Sequence, residues 1–64
     1  MIKLLRKQKN LTQEDIARAI DISLRQYINI EKGISEPKIK KGLQIAAILD
    51  VDPYILFKIE RIKI

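Results

Sequence analysis

Sixty-four residues make one small domain, 1–64, with 47% hydrophobic residues to build a core and no internal repeat. Neither cysteine nor histidine occurs, which excludes zinc-finger ligation, Cys or His nucleophiles and any disulfide framework. Thirteen Lys and Arg against eight Asp and Glu give a net charge of +5 and a pI near 9.8, a balance that favours polyanionic partners such as nucleic acid.

The N-terminal MIKLLRKQKN is too short in its apolar run and too charged for a secretory signal, and no apolar run approaches ~18 residues. The expectation is a cytoplasmic protein with no membrane partner. Ile2, Leu4 and Leu5 among Lys3, Arg6, Lys7 and Lys9 predict a short first helix with a basic exposed face. It should end near Asn10, which tolerates the left-handed cap conformation. Thr12 then caps a second helix by accepting from the backbone amide of Asp15, with Leu11 and Ile16 as a hydrophobic staple and Ile16, Ala17 and Ile20 facing inward.

Ser23 repeats the device, with Gln26 three residues on as a capping box requires and Ile22 and Tyr27 as the second staple. Only Ala19-Ile20-Asp21-Ile22 separates the two helices, enough for a tight turn in which Asp21 accepts positive φ. The stretch 12–32 therefore reads as a helix-turn-helix. Gly33 stops the third helix, and Ile34 to Pro37 form a loop, since a proline disfavours helix in the residue before it.

A fourth helix is expected from about Ile39 to Leu49, burying Ile39, Leu43, Ile45, Ala46 and Leu49 as one stripe that Ile48 widens. Gly42 costs about 0.8–1 kcal/mol there relative to alanine, so its lack of a side chain suggests a close approach. Asp52-Pro53 is an N-cap followed by a first-turn proline, and starts a short last helix with Tyr54, Ile55, Leu56 and Phe57. In the tail, Ile59, Ile62 and Ile64 are compatible with a continued helix, an edge strand or a free end. A single core below ~70–80 residues supplies only ~3–5 kcal/mol, so self-association through 52–64 is expected.

Taken together, Leu5-Arg6, Leu11-Thr12-Gln13, Ile16-Ala17, Ile22-Ser23, Ile30-Glu31-Lys32-Gly33, Pro37 and Ile45-Ala46 closely resemble the Cro/CI-type helix-turn-helix family, also called Xre or lambda-repressor-like. The resemblance covers residues 2 to 57 and implies an all-α fold, a compact bundle of about five short helices. In such proteins the third helix enters the major groove of double-stranded DNA while the second crosses the backbone.

The resemblance maps the base-reading positions to Leu24, Arg25 and Asn29. Arginine donates two hydrogen bonds to guanine O6 and N7, asparagine pairs with adenine N6 and N7, and leucine meets a thymine methyl. It assigns phosphate contacts to Gln13 and Ser23, with Gln26 shared between its capping box and DNA. Lys32, Lys38 and Lys40 supply a second phosphate clamp around the following loop, whereas Lys9 and Lys41 read as solvated charges. Arg6 and Glu31 are expected to form a structural ion pair. Tyr27 is expected to point its ring inward with the hydroxyl reaching the edge, and Ile28 faces away from Ile20 toward solvent, DNA or a neighbour.

These expectations describe a Cro-like repressor that binds an inverted-repeat operator as a homodimer, with Pro53, Tyr54, Ile55, Phe57, Ile59 and Ile62 at the dimer interface. The alternative is a protein-interaction module of the same fold, antitoxin- or coactivator-like, with weak DNA affinity. No cofactor, metal or small-molecule ligand is expected, and no nucleophile-base pair, phosphate-cradling glycine loop or paired-carboxylate motif points to an enzyme.

Overall fold

A computed structural model describes residues 2–57, which form five helices and no strand: α1 (Ile2–Gln8), α2 (Gln13–Ala19), α3 (Leu24–Glu31), α4 (Ile39–Leu49) and α5 (Pro53–Leu56). The all-α bundle with an embedded helix-turn-helix is as expected. Four of the five helices end in one way. Asn10, Asp21, Gly33 and Asp50 adopt φ of 57°, 58°, 79° and 55°. The next residue in each case, Leu11, Ile22, Ile34 and Val51, donates its N–H to the carbonyl five positions back, at 3.2, 3.0, 2.9 and 3.0 Å. This is the Schellman stop, which satisfies carbonyls that a helix end otherwise leaves bare. The three non-glycine residues are Asn or Asp, the L-residues that enter the left-handed region most readily. Leu11, Ile22 and Val51 then pack against the core, so each stop also turns the chain back inward.

The buried core comprises Ile2, Ile16, Ala17, Ile20, Tyr27, Ile45, Ala46, Leu49 and Leu56. α2 packs on α3, and α4 packs on both α1 and α5. The stripe expected on α4 is corrected at its first two positions: Ile39 is 83% exposed and Leu43 52% exposed. The buried row is instead Gly42, Ile45, Ala46 and Leu49, the i, i+3, i+4, i+7 spacing of one helix face. Leu43 is rotated about 100° from Gly42 and Ile39 lies in the opening turn, so neither points at the core.

Lys41 is likewise corrected. It is half-buried, and its Nζ donates to the Ile20 carbonyl, so it ties α4 to the turn of the helix-turn-helix instead of remaining a solvated charge. Among the described residues no helix is long and apolar enough to cross a membrane.

Gly42 faces side chains, not backbone. A β-carbon there would lie 3.4 Å from Phe57 Cε2 and 3.5 Å from Pro37 Cγ, ordinary contact distances. Gly42→Ala should therefore stabilise the fold by roughly 0.5–1 kcal/mol, through lost unfolded-state freedom and better helix propensity. Thermal melts followed by circular dichroism should show a rise of a few degrees, whereas Gly42→Leu should lower the midpoint by displacing the Phe57 ring.

Candidate nucleic-acid interface

The site is built from the starts of α2 and α3. At α2, the Asp15 amide donates to Thr12 Oγ1 at 3.0 Å and the Thr12 amide donates to Asp15 Oδ2 at 2.8 Å. The return bond from Thr12 holds the Asp15 carboxyl below its ordinary range. Sequence reasoning found the first of these bonds and missed the second, although an acidic residue at the third helical position was the available signal. At α3, Gln26 N donates to Ser23 Oγ at 3.1 Å and Ser23 N donates to Gln26 Oε1 at 2.9 Å. Both bonds at α3 use side-chain acceptor atoms. The Ser23 hydroxyl proton and the Gln26 amide group are donors, the type of group a phosphate needs.

α3 divides its residues sharply. Tyr27 is fully buried, and Ile30 and Glu31 also turn inward. On the opposite face Leu24, Arg25, Ile28, Asn29 and Lys32 line one shallow hollow. The three positions that the resemblance marked as base-reading are thus brought together, with Ile28 and Lys32 beside them. Lys38 and Lys40 are exposed at the opening of α4, beyond the loop.

An ion pair anchors this helix. Arg6 Nε donates to Glu31 Oε2 and Arg6 Nη2 to Glu31 Oε1, both at 3.0 Å, and the two side chains are 9% and 4% exposed. Arg6 Nη1 also donates to the Leu11 carbonyl at 2.8 Å. Gln13 Nε2 reaches Glu31 Oε1 at 3.4 Å, so the first residue of α2 leans on the end of α3. Burial is the largest single influence and would raise the Glu31 carboxyl, but the hydrogen bonds and charge of Arg6, with the neighbouring Tyr27 and Gln13 side chains, together outweigh it and hold the group below the ordinary carboxylate range.

Tyr27 differs from expectation at its tip. Its hydroxyl does not reach the edge but is buried without a directed hydrogen bond. Burial, and then the Glu31 carboxylate nearby, push its ionisation far up, so it stays neutral.

The expected dimer residues are mixed in placement. Tyr54 and Ile55 are exposed, Pro53 is half-buried, and Phe57 is half-buried against the core. Ile59 and Ile62 lie outside the described residues. Among the described residues no group of acidic side chains is placed to hold a metal ion.

A helix-turn-helix family model matches residues 2–56. An uncharacterized HTH-type transcriptional regulator of Methanocaldococcus jannaschii is 40% identical over 50 residues, which is 78% of this chain and 76% of the relative. A second uncharacterized HTH-type transcriptional regulator, from Bacillus subtilis, is 41% identical over 57 residues. That match takes in 89% of this chain, which spans about half of the relative, 49%. No solved structure matches the chain.

Glu31→Gln keeps the shape of the side chain but leaves Arg6 buried without a counter-charge, which should cost ~3–5 kcal/mol in chemical denaturation. The pH dependence follows from the depressed Glu31 pKa. A carboxylate stabilised in the folded state contributes fully above its unfolded pKa, and the contribution disappears as pH falls through the folded value. Acid titration should therefore destabilise the wild type more steeply than Glu31→Gln.

Proposed function

The chain belongs to the helix-turn-helix family, and on that premise we propose that it is a sequence-specific, double-stranded DNA-binding transcriptional regulator that acts as a Cro-like repressor. The observation that carries this reading is the two-sidedness of α3. Tyr27, Ile30 and Glu31 bind the helix to the body of the protein, while Leu24, Arg25 and Asn29 are collected on the outward face. In this reading α3 lies in the major groove, with Arg25 on guanine O6 and N7, Asn29 on adenine N6 and N7, and Leu24 on a thymine methyl.

Gln13, Ser23, Gln26, Lys32, Lys38 and Lys40 hold the phosphates on either side. They fix the register without reading sequence. The +5 net charge supports the same partner by steering the protein toward a polyanion. The names of the two relatives, both HTH-type transcriptional regulators, agree with it.

A homodimer completes the reading. Pro53, Tyr54, Ile55 and Phe57, continued by Ile59 and Ile62, form its interface, and two copies of α3 meet major grooves about 34–36 Å apart on an inverted repeat. Exposed Tyr54 and Ile55 support this, being apolar area that a second copy would remove from water. Repression follows by occlusion of a promoter.

Two substitutions separate reading from gripping. Arg25→Ala should cost ~1–3 kcal/mol and relax preference at one base position, while Lys38→Ala should weaken binding to all sequences and lower the salt slope by about one. For the wild type, log K should fall with log salt by about 0.9 per neutralised phosphate, as measured by fluorescence anisotropy on labelled duplexes. Salt-independent binding, with a stoichiometric protein complex in its place, would identify an interaction module instead.

A further inference from the structure

Ile28 is an isoleucine on the wrong side of its helix for core packing. It belongs neither to the buried core nor to the partly buried residues packed against that core, and the same is true of Leu24. Both line the hollow on the outward face of α3 with Arg25, Asn29 and Lys32. Leu24 and Ile28 stand one turn apart, as do Arg25 and Asn29, so the face carries two parallel rows. One row is aliphatic; the other offers guanidinium and amide hydrogen-bonding groups.

That pairing matches one chemical surface closely. The floor of the major groove presents purine acceptors and donors beside a single kind of apolar group, the thymine C5-methyl. Lys32, which lines the same hollow, supplies a cation for a phosphate that borders such a floor.

We propose that Ile28, together with Leu24, packs on thymine methyl groups next to the purines engaged by Arg25 and Asn29, which makes Ile28 a specificity-determining residue. The proposal rests on the DNA-binding reading given above. Four residues of helix advance about 6 Å, near two base-pair steps at about 3.4 Å each. The two methyl groups therefore lie within about two steps of one another in each half-site.

The test uses duplexes enriched by the wild-type protein from a random pool and resynthesised with deoxyuridine in place of thymine, one position at a time. This removes the methyl and leaves every hydrogen-bonding group of the base intact. Affinity at fixed salt should fall about four-fold at a contacted thymine, the equivalent of ~0.8 kcal/mol for one buried carbon. In Ile28→Ala the thymine-to-uridine ratio should drop to near one at one such position and persist at the other, with Leu24→Ala giving the reverse.

The wild-type arm needs no variant to fold. A flat uridine profile in duplexes that bind with a normal salt slope, or unchanged discrimination in Ile28→Ala, overturns this proposal and leaves DNA binding standing. Failure to enrich any duplex, with no salt dependence, overturns the DNA-binding reading and this proposal with it.

Discussion

One guanidinium holds the geometry of the site. Arg6 gives Glu31 two hydrogen bonds and the Leu11 carbonyl a third, so a single side chain of α1 fixes the end of α3 and the residue that leads into the Thr12 cap. Removing two charges from water is expensive, and such a pair contributes little net stability compared with a well-packed apolar substitute. Its value lies in direction. An apolar contact permits sliding, whereas a forked arginine on a carboxylate fixes both distance and plane.

Because that anchor sits at the C-terminal end of α3, the outward face is left wholly to other residues. Gln13 joins the anchor from α2, which locks the two helices of the motif at their far ends. Lys41 performs a similar task from α4, at the Ile20 carbonyl between them. The helix-turn-helix is thus held at its turn and at its open end, and the reading surface is carried on a rigid body. Rigidity matters for such a surface, since hydrogen bonds to base edges have narrow geometric tolerance.

The stability of so small a chain depends on local rules being obeyed at most of its helix ends. Each interhelical connection from Asn10 to Val51 combines a left-handed residue with an apolar one, and Thr12, Ser23 and Asp52 each cap the helix that follows. Local preference and tertiary packing therefore ask for the same backbone path, which is what makes a sequence of this length fold to one structure. The cost appears at the surface: Leu4, Ile39, Leu43, Tyr54 and Ile55 remain substantially exposed. There are more apolar residues than interior positions to receive them.

The helix limits, the caps at Thr12, Ser23 and Asp52, and the left-handed stops at Asn10 and Asp21 were legible in the sequence because each depends on contacts within about five residues. Leu24, Arg25 and Asn29 as outward positions, and Tyr27 as an inward one, came from the resemblance to the family. The Arg6–Glu31 pair was legible only through the family pattern, because nothing local links positions 25 residues apart. Other features required the assembled bundle. Ile39 and Leu43 fit an apolar stripe by spacing, yet in the bundle α4 turns Gly42, Ile45, Ala46 and Leu49 inward, with Gly42 beside Phe57 and Pro37. Lys41 found a carbonyl 21 residues away, and the Tyr27 hydroxyl was enclosed instead of reaching water. Periodicity determines which residues share a face, but only the neighbouring helices decide which way that face turns.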